Sequence, residues 1–159
     1  RDAGSPRARA PDYKGSYDRF WSDLHTRVPL SRESDSELIE TWAYAAAYSA
    51  DDDGTVRLPF DTTTGAQVPE VWERWLALDP VRIARSRPRV AAGLQAVWID
   101  AGDRDEWYLD LGATAFRDAL LAAGLPGERM RFEIFPAAHG GIDYRYPLAL
   151  SWLAARLTP

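Results

Sequence analysis

Two short stretches in the second half of the chain decide its fold. Residues 96–106 read Ala-Val-Trp-Ile-Asp-Ala-Gly-Asp-Arg-Asp-Glu, and residues 131–141 read Arg-Phe-Glu-Ile-Phe-Pro-Ala-Ala-His-Gly-Gly. Each opens with a mostly apolar run, as buried strands do, and continues through a turn into a segment of helical period. The order predicts a βαβα unit with two parallel strands, and therefore an α/β fold class.

Each of the two turns carries a side chain that can move or hold a proton. Asp105 follows the first strand, and His139 follows the second about one βαβ unit further along the chain. Because the carboxyl ends of parallel strands gather at one edge of a sheet, we expect these two side chains to lie together. An acid that orients a histidine supplies two of the three members of a nucleophilic triad.

The first turn offers several carboxylates: Asp100, Asp103, Asp105, Glu106 and Asp110. We prefer Asp105 as the acid, because Gly102, three residues before it, gives the chain room to turn that carboxylate toward the next loop. Asp103 is the second choice. The alternative is that both aspartates only cap the following helix, and that His139 only packs at a strand end. The combined placement of Asp105 and His139 favours catalysis.

No serine stands in the Gly-x-Ser-x-Gly context of a nucleophile elbow. Ser5 is followed by Pro6, which has no N–H to donate to an oxyanion. The other serines considered lie without a preceding strand, at a helix end or after the histidine: Ser16, Ser49 and Ser151. We therefore expect the nucleophile and the oxyanion hole upstream of the first residue.

The number of strands supports the same expectation. Only two convincing buried strands are found, and a two-stranded parallel sheet leaves two open edges and is not independently stable. We expect this chain to be the C-terminal half of a larger α/β domain, with the N-terminal half of the same protein, separate or cleaved, as its partner.

Three regions are predicted along the chain. Residues 1–16 form an irregular lead-in, residues 17–93 form a mostly helical, cap-like segment with a small hairpin, and residues 94–159 form the α/β unit. The hairpin is expected from Val56–Phe60 and Gln67–Val68.

Helix boundaries and faces are predicted from capping residues and apolar spacing. Residues 17–24 are helical, Ser34 caps the next helix with Glu37 three residues on, and Pro69 opens a third helix that stops at Asp79. Leu38, Trp42, Ala46 and Ala50 are spaced as one apolar face of the second helix. The last helix is expected to begin near Pro147 and to present Leu150, Leu153 and Leu157 on one face.

Composition excludes several classes of function. The formal net charge of −5 gives no reason to expect nucleic acid or anionic lipid as a partner, and no apolar run approaches membrane-spanning length. The absence of cysteine excludes disulfides and thiolate metal sites. Residues 51–55 are rich in aspartate, but position twelve of a calcium loop would be Thr62, so a solvated turn is favoured. No cofactor is expected.

Three segments together resemble the esterase branch of the α/β-hydrolase superfamily, which includes enterochelin-esterase-like and formylglutathione-hydrolase-like enzymes and the mycolyltransferases. They are residues 97–113, residues 135–146, and residues 58–65 with 72–80, and they span roughly the last two-thirds of the chain. The resemblance implies the C-terminal part of an α/β-hydrolase fold and a serine carboxylic-ester hydrolase acting on a small ester. Asp105 would be the triad acid and His139 the general base. The rival hypothesis is a non-catalytic α/β-hydrolase-like module that binds or scaffolds.

Overall fold

The computed structural model describes residues 13–157, in two compact units that divide between Leu78 and Asp79. Most of the predicted lead-in therefore lies outside the described residues. The sequence suggested a division between residues 93 and 94. The helices of residues 80–92 instead belong to the second unit, because Ala84 and Ala91 pack in its core.

Within its described residues, 13–78, the first unit contains the helices α1 (Tyr17–Leu24), α2 (Ser34–Ser49) and α3 (Pro69–Ala77). The Ser16 hydroxyl caps α1 by accepting from the Arg19 N–H, and Pro69 is the first residue of α3 as predicted. Phe20 and Leu24 on α1 pack against Leu38 on α2 to form the core of this unit.

The predicted start of α2 is wrong. Ser34 is the first helical residue rather than the cap, and Glu33 before it makes no capping hydrogen bond. The buried face also differs, because Ala45 and Ser49 are buried and Ala46 is exposed. Side-chain bonds turn this face inward: the Ser49 hydroxyl donates to the Arg57 carbonyl at 2.6 Å and accepts from the Trp75 indole at 2.9 Å.

The predicted hairpin is reduced to two isolated antiparallel bridges, Ala50 with Val56 and Phe60 with Gln67. The turn between residues 61 and 66 is organised by the Asp61 carboxylate, which accepts backbone N–H bonds from Thr63 and Thr64 at 3.0 and 2.6 Å. An Asx-type turn therefore closes the loop between the two bridges.

The second unit is α/β. Its elements are α4 (Pro80–Ser86), α5 (Pro88–Ala92), β1 (Val97–Gly102), α6 (Leu109–Ala122), a 3₁₀ turn (Gly127–Arg129), β2 (Met130–Phe135) and α7 (Arg145–Leu157). Asp79 both follows α3 and caps α4, since its carboxylate accepts from the Val81 N–H at 2.8 Å.

The two strands are parallel, as predicted, and pair in register from Val97 with Met130 to Gly102 with Phe135. One face of the sheet lies on a core that includes Ala119 and Leu120 of α6. On the other face, Trp98 meets Trp152 of α7 edge to face, with ring centroids 5.8 Å apart. Helices thus cover both faces, which is the layering of α/β proteins.

The predicted face of α7 is wrong. The helix begins at Arg145, two residues before Pro147, and Leu150 and Leu157 are exposed. Arg145 and Trp152 make the contacts to the sheet instead. The strands are also less buried than their composition predicts, because each has only one neighbouring strand among the described residues.

Candidate active site

The structure brings Asp105 and His139 together. The Nδ1 atom of His139 lies 3.1 Å from Oδ2 of Asp105, across the two turns that leave the carboxyl ends of β1 and β2. The Asp105 side chain is 4% exposed and the His139 side chain is 48% exposed. An ionised carboxylate only accepts hydrogen bonds, so in the neutral imidazole this contact requires the proton on Nδ1, and Nε2 is then an open acceptor.

Backbone groups of its own turn hold Asp105. Oδ1 accepts from the Trp107 N–H at 2.8 Å, and the Tyr108 N–H donates to the Asp105 carbonyl at 3.1 Å. Tyr108 takes a left-handed conformation, with φ of 60°, before α6 begins at Leu109. A large side chain seldom adopts this conformation, so the surrounding turn must enforce it.

Burial and hydrogen bonding act in opposite directions on the Asp105 carboxyl. Burial raises its pKa, while bonds from the Trp107 N–H, His139 and the Leu109 N–H lower it, and together these bonds prevail. The pKa of Asp105 therefore lies below its ordinary value, and the group is ionised at neutral pH. An ionised acid is the form that stabilises a charged imidazole.

Close approach of the two turns depends on Gly102. A Cβ atom at this position would lie 2.3 Å from the Ala137 carbonyl oxygen. The Asp103 N–H donates to the Phe135 carbonyl and the Arg104 N–H donates to the Ala137 carbonyl, both at 2.9 Å. These bonds continue the strand ladder past the ends of the strands and bring the His139 turn toward the acid.

The other carboxylates of the first turn lie elsewhere. Asp103, the second choice for the acid, is 47% exposed and faces the Arg104 side chain at 3.5 Å. Asp100 accepts from the Trp98 indole at 2.7 Å and from Arg145 Nε at 2.8 Å. Asp105 is therefore the aspartate in contact with the His139 ring.

Sequence reasoning missed Glu106, which contacts His139, and Arg145, which bonds the two strands beside the site. Oε2 of Glu106 accepts from the backbone N–H of His139 at 3.2 Å. Arg145 joins Asp100 to Glu133, to which it donates at 2.7 Å. In the sequence, Glu106 was only one of several carboxylates in the turn. The pairing of Asp100 with Glu133 depends on the strand register, which cannot be deduced from the sequence.

None of the serines considered from the sequence is placed as a nucleophile by the described residues. Ser16 caps α1, Ser49 is buried within the first unit, and Ser151 lies within α7, while Ser5 lies outside the described residues. Between residues 13 and 157, no hydrogen bond joins a serine to His139. His25, the second histidine, is exposed at the end of α1, as expected for a surface residue.

The aspartate-rich segment forms a salt-bridged turn. Asp51 binds Arg57 at 2.6 Å and Arg74 at 2.8 Å, and Asp53 accepts from the Thr55 N–H. Within residues 13–157, no three histidine, aspartate or glutamate side chains group as metal ligands would. None of the helices described there is long and apolar enough to cross a membrane.

No protein-family model matches the chain, and none of the curated proteins compared with it is significantly similar. The class that the structure itself defines is an α/β unit with a buried aspartate bonded to a half-exposed histidine at one edge of a parallel sheet.

Proposed function

We propose that this chain supplies the acid and the base of a serine carboxylic-ester hydrolase. The observation that carries the proposal is the 3.1 Å contact between His139 Nδ1 and the nearly buried carboxylate of Asp105. Side-chain burial on the acid and exposure on the ring are what a base needs, since the ring must be oriented from one side and must reach a substrate from the other.

The reaction would be acyl transfer in two halves. His139 Nε2 takes the proton of a serine hydroxyl as its oxygen attacks the ester carbonyl, and returns that proton to the leaving alcohol as the C–O bond breaks. Water then replaces the alcohol and the same steps release the carboxylic acid and the free serine. Asp105 stays ionised throughout, holding the Nδ1 proton and stabilising the imidazolium.

The nucleophile and the oxyanion hole would come from a polypeptide segment outside these 159 residues, which we expect to be the N-terminal half of an α/β-hydrolase fold. The outer edges of β1 and β2 support this, because neither has a second strand neighbour among residues 13–157, and unpaired backbone groups invite a further strand. Three large apolar side chains that follow the acid in the sequence are also exposed: Trp107 is 61% exposed, Tyr108 70% and Leu111 64%. Large exposed apolar groups close together in a segment commonly mark a surface that another polypeptide or a ligand covers.

One observation favours the rival function, a binding or scaffolding module without chemistry. The described residues contain an acid and a base in contact but no serine bonded to the base. A hydrolase-like module that had lost its nucleophile would look the same.

Labelling of the intact protein with a fluorophosphonate, together with turnover of a small activated ester, separates the two functions. We expect labelling of a serine outside these residues, and loss of labelling and turnover in His139→Ala but not in His25→Ala. The hydrolase assignment fails if the intact protein turns over no ester, or if His139→Ala retains near-normal turnover.

A further inference from the structure

The segment that carries His139, residues 136–144, contains no helix or strand. A base must be held to within a fraction of an ångström, because small displacements of a catalytic group reduce rates strongly. The backbone bonds from Asp103 and Arg104 reach only as far as Phe135 and Ala137. The middle and the far end of the segment need attachments of their own.

Arg145 attaches the far end. Its Nε donates to Asp100 at 2.8 Å and its Nη2 donates to Glu133 at 2.7 Å, while the guanidinium lies 4.3 Å from the centroid of the Phe135 ring. The arginine side chain is only 12% exposed. The first residue after the His139 segment is thereby bonded to both strands.

The position of Arg145 is explained by those carboxylates and not by its helix. A cation in the first turn of a helix is disfavoured by the helix dipole. Asp100 and Glu133, however, are direct partners in the parallel register, so two carboxylates lie side by side on one face of the sheet. Like charges at such positions repel, and one guanidinium with two donors facing them removes the repulsion.

Glu106 attaches the middle of the segment. Its Oε2 accepts from the His139 backbone N–H at 3.2 Å, and its neighbour Asp105 binds the ring of the same histidine. Adjacent residues of one turn thus hold the backbone and the side chain of His139 separately. Two attachments limit rotation of the residue about its own backbone, which a single ring contact does not.

We propose that Glu106 and Arg145 are positioning residues that hold residues 136–144 so that His139 stays bonded to Asp105 before any substrate arrives. This role rests on the proposed function for its purpose. The geometry itself is independent of ester turnover, so the two can fail separately.

The tautomer of His139 in the intact protein reports this geometry. Long-range ¹H–¹⁵N spectra at neutral pH show whether the proton lies on Nδ1, as the bond to Asp105 requires, or on Nε2. We expect Glu106→Ala to reduce the Nδ1–H form and to speed exchange of the His139 backbone N–H by about tenfold, as loss of a charge-assisted bond predicts. Glu106→Gln keeps an acceptor oxygen and should restore most of both signals.

Arg145→Met should likewise reduce the Nδ1–H form. Should that variant fail to fold, Arg145→Lys decides, because lysine keeps the charge but offers no planar fork to bond both carboxylates. We expect a smaller but measurable loss of the Nδ1–H form in the lysine variant.

Asp103→Ala is the matched control, since it removes an exposed carboxylate from the same turn that faces Arg104 and not His139. It should leave the tautomer and the exchange rate unchanged. Unchanged spectra in Glu106→Ala, an unchanged tautomer in the folded Arg145 variants, or an equal effect of Asp103→Ala would each overturn the positioning role.

Discussion

Arg27 in the first unit and His139 in the second each bind a buried aspartate, and they differ in what they leave free. Both Nη atoms of Arg27 donate hydrogen bonds to Asp35, at 2.6 and 2.7 Å, and its Nε donates to Asp23 at 2.6 Å. His139 uses one ring nitrogen on Asp105, and no bond to the other is found in residues 13–157. We call Arg27 with Asp23 and Asp35 the closed network, because all its guanidinium nitrogens are bonded. We call His139 with Asp105 the open network, because one ring nitrogen is left without a bond among those residues.

The closed network shows what full satisfaction of buried charge looks like. The Asp35 side chain is 0% exposed, and its carboxylate also accepts from the Arg32 N–H at 3.1 Å. The Tyr13 hydroxyl donates to Asp23 and accepts from Arg32. All three guanidinium nitrogens of Arg27 and both carboxylate oxygens of Asp35 are bonded, which favours a stabilising role, whereas a half-exposed ring with an open nitrogen favours chemistry.

Asp105→Asn should disrupt the open network and produce the largest effect. An amide in place of the carboxylate no longer selects the Nδ1–H tautomer, so ester turnover by the intact protein should fall by roughly 10⁴-fold, as triads with this change show. Steady-state kinetics with a small activated ester measures the loss. Asp103→Asn should stay near the wild-type rate, and equal losses in both variants would remove Asp105 from its assigned role.

Arg27→Met tests the closed network. The change leaves the Asp35 carboxylate buried without its cation, so the melting temperature should fall by about 10 °C, as expected when one partner of a buried pair is removed. Thermal unfolding followed by circular dichroism gives the shift. Arg57→Met is the control, since Asp51 is partly exposed and keeps Arg74. A shift as large in the control would show that burial does not distinguish the two pairs.

Gly102→Ala should loosen the open network while leaving the acid in place. The added methyl meets the Ala137 carbonyl, so the His139 turn must move away, and turnover should fall by about 10²-fold, as small displacements of catalytic groups cause. Kinetics on the intact protein measures the loss, and the His139 tautomer in the same protein should shift with it. Gly112→Ala, where an added Cβ meets nothing within 4 Å, should change neither. Wild-type kinetics in Gly102→Ala would contradict the required close approach.

Acid should weaken the closed network gradually, which is the smallest expected effect. The Arg27 hydrogen bonds, against the opposing effect of burial, hold the pKa of Asp35 below its ordinary 3.8. A lowered folded-state pKa means that the carboxylate stabilises the fold fully above the unfolded value, and that this contribution disappears as the pH falls through the folded value. The difference between the urea midpoints of the wild type and Asp35→Asn should therefore be smaller below pH 4 than at pH 6. A constant gap between them would show that Asp35 does not titrate with unfolding.

Much of the candidate site was predictable because it depends on topology. Strand, acid, helix, strand and histidine occur in that order, and parallel pairing by itself brings Asp105 and His139 to one edge. The catalytic role of the pair stays a prediction. Local patterns gave the wrong start for α2, because contacts with residues distant in the sequence decided it. Ser34 matches a capping box, yet α2 begins there without a cap. Asp35, the next residue, turns inward and binds Arg27.

The prediction of the α7 face was wrong for a related reason. Leucine spacing predicts the buried side of a helix only when an apolar surface faces it, and the sheet instead presents Trp98 and Asp100. Arg145 and Trp152 match those partners, and Leu150 does not.

The sequence alone determined the parallel βαβα order, the preferred acid and the histidine, because strand periodicity and connection rules are local properties of the chain. Tertiary structure alone decided the 3.1 Å contact, the hold of Glu106 on His139 and the span of Arg145 across Asp100 and Glu133. Those contacts depend on strand register and on the direction in which side chains leave a turn, and both are set only when the elements pack.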